Sequence, residues 1–355
     1  MRSAHSGRSV ASSPLHRCDA VPNTAAVTAS ATTTLQMSKP RNILRHDAGR
    51  LASLLASGRG VLAASLLSLN TLFWATLLFI LALVKLLTPG RPKVLDAGLN
   101  AIATAWVSGN TLWMKLTQRT TWDVSGTASL RRDAWYLVCS NHQSWVDILV
   151  LQRVLNRRVP MLKFFLKQQL IHVPVMGLAW WALDFPFMRR HTKAALRRRP
   201  ELRTQDRDAA RRSCEKFSRV PTSVMNFVEG TRYTVTKHDA QASSYRNLLK
   251  PRAGALATTL SVMGPRFTSM LDATIVYPEG IPSFWDFLCG RLDSVVVRIR
   301  ERGVPAELCL GDYEHDAAFR ASFARWLTDL WEDKDLTITS LMLERRSSRG
   351  SVGTV

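Results

Sequence analysis

The segment from Asn141 to Asp147 contains an imidazole and a carboxylate, His142 and Asp147, where a predicted strand gives way to a helix. In a parallel sheet this edge binds ligands, outside the carboxyl ends of the strands. Asp147, one turn into the helix, can reach back to one nitrogen of His142 while the other accepts a proton from a substrate hydroxyl. The same residues also fit a plain helix start, with Ser144 as cap and Asp147 near the positive helix end. The two interpretations are compatible, because one turn can serve both.

A second polar group follows another predicted strand. Its members are Glu229, Gly230, Thr231 and Arg232. The glycine lets the backbone approach a ligand, and the guanidinium of the arginine fits a phosphate. A strand-end turn with a local pair of Glu and Arg is the alternative interpretation.

A third stretch runs from Lys167 through Trp180 and Trp181 to Arg190. Its apolar and aromatic residues predict the lining of an acyl groove or a surface pressed on a membrane interface, with Lys167 and Arg190 near a phosphate. Alternatively, the two tryptophans are ordinary core residues.

The elements that must position these residues are visible beyond Arg119, where short apolar runs alternate with helical periods. This texture is typical of an α/β domain whose largely parallel sheet is flanked by helices. The predicted strands are Trp135–Ser140, Ser223–Val228, Asp272–Tyr277 and Ser294–Arg300, and the predicted helices are Ser144–Val154, Asp206–Phe217, Ala253–Met263 and Asp316–Trp331.

The N-terminal part predicts a membrane-anchoring helical segment before this domain. Val61 to Val84 carries no charge and, as a helix, is long enough to cross a hydrocarbon core of about 30 Å. Gly98 to Met114 is uncharged but more polar, so it either returns through the bilayer or lies in its interface. Basic residues flank both ends of the first segment, so charge does not fix its orientation.

Four regions result from this pattern: a disordered basic leader over residues 1–58, membrane-anchoring helices over 59–118, the α/β domain over 119–340 and a disordered tail over 341–355. The acid-poor residues 1–36 are either an organelle transit peptide or sequence upstream of a true start at Met37.

The charge balance favours a polyanionic partner. There are 48 Lys and Arg against 27 Asp and Glu, a net charge of +21. Nucleic acid is disfavoured because no recognised binding module is visible and a membrane segment precedes the domain. The basic stretch from Arg189 to Arg219 fits anionic membrane lipids or an acidic carrier protein, unless it is simply a solvated helical face.

Two further groups of residues could be mistaken for a catalytic nucleophile or a metal site. Cys139 lies close to His142, but it shares a strand face with Trp135 and Leu137, so we expect a buried core thiol and no acyl-cysteine intermediate. The acidic and histidine residues between Asp312 and Asp316 are expected to cap the final helix. We expect no metal and no cofactor.

Taken in order, these blocks resemble the glycerolipid acyltransferases of the lysophosphatidic acid acyltransferase (PlsC) type, and details look closest to the bacterial YihG subgroup. The resemblance covers about residues 60 to 340. Its blocks are Asn141, His142 and Asp147; Lys167, Leu170, Pro174, Gly177 and Arg190 (or Arg189); Phe227, Glu229, Gly230, Thr231 and Arg232; and Thr274 to Pro278. Tyr277 replaces the valine or isoleucine usual before that proline, which implies a reshaped acceptor pocket.

The resemblance implies transfer of a fatty acyl group from acyl-CoA or acyl carrier protein to the hydroxyl of a lysophospholipid, foremost 1-acylglycerol-3-phosphate, giving phosphatidic acid. His142 would be the general base and Asp147 would fix its tautomer. Arg232, with Arg190 or Lys167, would hold the acceptor phosphate, and Glu229 would orient that arginine or a glycerol oxygen. It also implies a bacterial inner membrane location, with the active site on the cytoplasmic face where both donors are found.

Two alternatives stay open at this point. The acceptor could be glycerol-3-phosphate or another lysophospholipid. The chain could also be a non-catalytic membrane protein that binds anionic lipids on the same fold.

Overall fold

The computed structural model describes residues 41–90, 92–164, 166–185, 187–188 and 220–352, with 198, 208 and 211 as isolated positions. The chain divides into two compact units, residues 1–48 and 49–355. Of the first unit, only the start of helix α1 is described. Arg190 lies outside the described residues, as do most of the predicted helix Asp206–Phe217 and most of the basic stretch.

Helices and strands are interspersed along the described part of the chain. The first half contains α1 (Arg41–Leu87), α2 (Lys93–Thr117), β1 (Thr121–Ser125), β2 (Tyr136–Ser140), α3 (Val146–Leu155), β3 (Leu162–Phe164), β4 (Leu166–Lys167), a 3₁₀ turn (Gln168–His172), α4 (Met176–Ala182) and β5 (Phe187–Met188). The second half contains β6 (Ser223–Phe227), α5 (Val235–Ala240), α6 (Ala253–Met263), a 3₁₀ turn (Gly264–Arg266), β7 (Ser269–Val276), α7 (Phe284–Leu288), β8 (Ser294–Arg302), α8 (Glu307–Leu310) and α9 (Ala317–Val352).

Six strands form the main sheet in the order β1-β8-β7-β2-β6-β3. Strand β2 runs parallel to both β6 and β7, and only the β7–β8 pair among the described strands is antiparallel. In register, Ser140 at the end of β2 pairs with Phe227 at the end of β6. The carboxyl ends of β2, β6 and β7 therefore meet at one edge, and the predicted α/β class with a largely parallel sheet is confirmed.

Apolar side chains cover both faces of this sheet. Tyr136 and Val138 on β2 belong to a core that includes helix α3, while Leu137 and Cys139 face a second core with α6 and α9. All eight residues of β7 are buried, as expected for a strand covered on both sides. Two-sided burial explains why these strands have near-continuous apolar sequences.

Helix α1 contains the apolar segment Ala52–Leu87, which is long and apolar enough to cross a membrane and is a candidate anchor. Much of its apolar surface is exposed, including Leu69, Phe73 and Ile80. It begins at Arg41, earlier than the predicted boundary at residue 59. Residues 52–58 contain alanines and leucines with high helix propensity, so the helix extends N-terminally beyond the uncharged segment.

Helix α2 packs one of its faces inside the protein. Asn110 on this face is fully buried, and Asn70 of α1 donates to its Oδ1 at 2.9 Å. Among the described residues, Ala52–Leu87 alone has the length and composition of a membrane span.

The C-terminal helix α9 continues well past Trp331, where the predicted helix ends, and through most of the predicted disordered tail. Ile338 and Leu341 are buried against the second core, so apolar packing continues beyond the predicted helix Asp316–Trp331. Helix α3 starts at Val146, two residues after the predicted Ser144.

Candidate active site

His142 and Asp147 meet at the carboxyl edge of the sheet. Nδ1 of His142 lies 2.9 Å from Oδ2 of Asp147. The imidazole side chain is 13% exposed, whereas the carboxylate is fully buried. No hydrogen bond to Nε2 of His142 is found among the described residues, so this nitrogen can accept a proton from outside.

The carboxylate of Asp147 also accepts backbone N–H groups from the turn that leads into helix α3. Its Oδ2 accepts the backbone N–H of Gln143 at 2.6 Å and of Ser144 at 2.8 Å. The Ser144 hydroxyl accepts the N–H of Val146 at 3.2 Å and donates to the Pro282 carbonyl at 2.6 Å. One turn therefore both caps the helix and orients the imidazole.

The His142 ring is held from one side by an aromatic residue. It stacks on Phe227 with 3.9 Å between ring centroids and 15° between planes. Phe227 in turn lies 6.2 Å from Phe164. The carbonyl of His142 accepts the N–H of Tyr233 at 2.7 Å. Because ring and backbone are both held, His142 has little freedom to leave Asp147.

Glu229 joins the turn after β6 to the turn after β2. Oε1 accepts the backbone N–H of His142 at 2.9 Å, and Oε2 accepts that of Leu249 at 3.1 Å. Burial raises the pKa of Glu229 to about 8, although the two N–H groups act in the opposite direction. An arginine partner, one of the two roles that the sequence predicted, is not among its contacts in the described part of the chain, and Glu229 binds the His142 backbone. Orientation of a glycerol oxygen by Glu229 stays a prediction.

The turn after Glu229 presents a cation. Gly230 has φ +68°, a conformation that glycine adopts without steric cost. The guanidinium of Arg232 lies 4.7 Å from the ring centroid of Trp145. Trp145, which is 50% exposed, lies in sequence between His142 and Asp147. Arg232 is therefore attached to the turn that carries the imidazole and carboxylate.

The side chain of Lys237 on α5 supports the same turn. Its Nζ donates to the Thr231 hydroxyl at 3.0 Å and to the Arg232 carbonyl at 2.8 Å. Sequence reasoning missed both Lys237 and the contact of Trp145. The only available signal for Trp145 was a large aromatic ring inside a polar turn; Lys237 carried none.

The predicted second block is described only in part. Lys167 lies on β4 and Leu170 in the 3₁₀ turn that follows. A Cβ on Gly177 would lie 2.1 Å from the Ile171 carbonyl oxygen, so this position needs glycine for a close backbone approach. With Arg190 outside the described residues, phosphate binding by Lys167 and Arg190 stays a prediction.

A cavity of about 600 Å³ opens beside the site. Its walls come from helices α1, α2, α3 and α4 and from the segment before β4, and they include Trp74, Trp106, Ile148, Met161 and Trp180. Trp145 and Phe164 also line it. Trp145 separates the cavity from Arg232, and the stacked rings of Phe164 and Phe227 separate it from His142. Trp180 thus lines an apolar space, whereas Trp181 is mostly exposed.

Cys139 is buried on β2, and burial raises its thiol pKa to about 12. A thiol that stays protonated is a poor nucleophile, so the acyl-cysteine route has no support. At the start of α9, Asp312 accepts the backbone N–H of Glu314 and His315, and Asp316 accepts that of Phe319. This loop has the hydrogen bonds of a helix start.

Part of the chain is similar in sequence to known acyltransferases. Residues 121–281, which contain both turns, match the acyltransferase family model. The chain is 23% identical to mouse 1-acyl-sn-glycerol-3-phosphate acyltransferase gamma over 239 residues, 63% of this chain and 57% of the mouse protein. It is 25% identical to the human protein of the same name over 187 residues, 49% of this chain and 44% of the human protein.

The chain thus spans about half the length of the curated relatives it matches. A crystal structure of the 1-acyl-sn-glycerophosphate (LPA) acyltransferase PlsC from Thermotoga maritima is also similar, with a TM-score of 0.44 and 18% identity over 80% of this chain and 97% of that chain. The YihG subgroup stays a prediction.

Proposed function

We propose that this chain is a membrane-bound acyltransferase that acylates the free hydroxyl of 1-acylglycerol-3-phosphate with a fatty acyl group from a thioester. The observation that carries the proposal is the 2.9 Å contact between His142 and Asp147, beside the Arg232 guanidinium and an apolar cavity. The family match over residues 121–281 and the relatives' names support the reaction class.

In the proposed reaction His142 acts as general base. A glycerol hydroxyl is a weak nucleophile at neutral pH, so it needs a base as its oxygen attacks the thioester carbonyl. The hydroxyl proton passes to Nε2 of His142 while the carbon–oxygen bond forms. When the tetrahedral intermediate collapses, the carbon–sulfur bond breaks and the thiolate leaves with the proton from His142. The buried carboxylate of Asp147 stabilises the imidazolium between these two steps.

Substrate binding follows from charge and polarity. Arg232 would take the acceptor phosphate, because a guanidinium binds phosphate through paired hydrogen bonds. The cavity would take an acyl chain, since its lining is almost entirely apolar and its volume is in the range of small-molecule sites. The donor is acyl-CoA or acyl carrier protein, and helix α1 would hold the site at the cytoplasmic face of a bacterial inner membrane.

The test is an assay of the full chain in detergent or vesicles with labelled acyl-CoA and acyl carrier protein. The acceptors are 1-acylglycerol-3-phosphate, glycerol-3-phosphate and lysophospholipids without a phosphomonoester. We expect the highest kcat/KM with 1-acylglycerol-3-phosphate, and no turnover with any acceptor would overturn the proposal.

A His142→Ala variant separates an enzyme from a lipid-binding scaffold. The variant should lose acyl transfer while still sedimenting with vesicles that contain phosphatidic acid. Full activity in this variant would exclude His142 as the base.

A further inference from the structure

Tyr277 makes a contact that neither the motif pattern nor the proposed reaction assigns. Its hydroxyl donates to Oδ1 of Asp147 at 2.6 Å. The residue follows the last residue of β7 and is 3% exposed. Tyr277 does not line the apolar cavity, and its hydroxyl contacts the carboxylate behind the imidazole. Its expected effect on an acceptor pocket stays a prediction.

The contact completes the hydrogen bonding of a buried anion. Oδ2 of Asp147 is shared by the His142 ring and two backbone N–H groups, whereas Tyr277 is the partner found for Oδ1 among the described residues. Asp147 is fully buried, so bulk water does not reach Oδ1. Burial next to Asp147 also raises the pKa of Tyr277 well above its usual value, which keeps the phenol protonated and able to donate.

We propose that Tyr277 is a positioning residue that fixes the Asp147 carboxylate and sets how strongly it attracts the protonated His142 ring. The inference rests on the proposed function, because it assigns Tyr277 a part in that same site. A bond from the phenol withdraws electron density from Asp147, so removing the bond leaves a more basic carboxylate and a better stabilised imidazolium.

The sign of the expected pH effect follows from this. A better stabilised imidazolium loses its proton at higher pH, so the acidic limb of the kcat/KM profile should move upward when the phenol is removed. The other charged groups around His142 keep their contacts: Glu229 binds its backbone N–H, and Arg232 lies on Trp145.

The first experiment compares Tyr277→Phe with Tyr136→Phe. Tyr136 is also buried, and its hydroxyl accepts only the backbone N–H of Arg131, at 3.0 Å, among the described contacts. For Tyr277→Phe we expect kcat to fall about tenfold with KM little changed, because a carboxylate that is no longer fixed holds the His142 ring less well in its reactive orientation, and this loss outweighs the gain in imidazolium stability. We also expect the acidic limb to shift upward. If both variants have the same kcat and the same acidic limb, the inference is wrong.

A second variant keeps the side chain and strengthens the bond. Site-specific 3-fluorotyrosine at position 277 makes the phenol a stronger donor, and the acidic limb should then move to lower pH. An upward shift, or no shift, would contradict the proposed role.

A third measurement does not need turnover and therefore separates this inference from the proposed function. Diethyl pyrocarbonate reacts with histidine in its neutral form and not as imidazolium, and peptide mass spectrometry of the full chain follows the modification of His142 against pH. His142→Ala identifies the correct peptide. The pH midpoint should be higher in Tyr277→Phe than in the unchanged chain, even if no acceptor is found. Equal midpoints would refute the inference, whereas absent turnover alone would refute only the acyltransferase proposal.

Discussion

Replacing Asp147 with asparagine should remove the negative charge beside His142 while leaving the shape of the site unchanged. Oδ2 accepts three hydrogen bonds and Oδ1 accepts one from Tyr277, so the amide has a single good orientation. Its oxygen takes the place of Oδ2, and its NH₂ group faces the phenol, which can rotate to accept. The backbone turn and the bond to His142 are then retained.

The magnitude follows from the lost attraction between carboxylate and imidazolium. Two unit charges about 4 Å apart interact by about 4 kcal/mol at an effective dielectric constant near 20. Since the imidazolium is only partly formed in the transition state, we expect kcat to fall by about 10²- to 10³-fold in Asp147→Asn. The acidic limb of the kcat/KM profile should move to lower pH, because the imidazolium has lost its counter-charge.

The assay is steady-state acyl transfer across pH, with thermal unfolding of both proteins as a check on folding. Asp286→Asn is the matched control, because Asp286 also accepts a backbone N–H at a helix start, that of Ser283, but its side chain is 40% exposed and paired with Arg291. We expect kcat within about twofold of the unchanged chain for this control. A loss of less than tenfold in a folded Asp147→Asn variant would refute the role assigned to Asp147.

Three further predictions test the neighbours of the pair. Arg232→Lys should raise KM for the phosphate-bearing acceptor about tenfold with a smaller change in kcat, because lysine cannot bind phosphate through two parallel bonds; an unchanged KM would place the phosphate elsewhere. Ile148→Trp should fill part of the cavity and reduce kcat/KM for long acyl chains more than for short ones, and an equal loss for all chain lengths would contradict an acyl-binding cavity. Glu229, whose pKa is raised from 4.5 to about 8, takes up protons on folding, so the unchanged chain should lose stability as pH rises from about 4.5 to about 8. Glu229→Gln should flatten this slope in urea unfolding, and an identical slope would show that another group causes it.

The sequence predicted the elements whose patterns are long and regular. Strands β2 and β6 and helix α6 lie where apolar runs indicated them, and the helix bounds Ala253–Met263 agree with the prediction. The short strands β3, β4 and β5 were missed because two or three residues show no period. The contact of His142 with Asp147 was predicted because a single local turn creates it.

The remaining contacts of the site join residues far apart in sequence. The Tyr277 phenol and Asp147 are separated by 130 positions, and spacing along the chain carries no information on such a pair. Trp145 and Arg232 meet because β2 and β6 are parallel neighbours in register, which the sequence did not specify. Helix α1 was predicted only as an anchor, since an apolar pattern is the same whether lipid or protein covers it.

Helix α1 has two faces with different surroundings. Leu67, Trp74 and Leu78 form part of the cavity wall, while Leu69, Phe73 and Ile80 are exposed on the helix exterior. A fragment trimmed to the α/β domain for easier purification would therefore lose one side of this cavity together with the candidate anchor. Kinetic constants measured on such a fragment would describe an incomplete binding site, and any preference for acyl-chain length would have to be measured on protein that retains the helix.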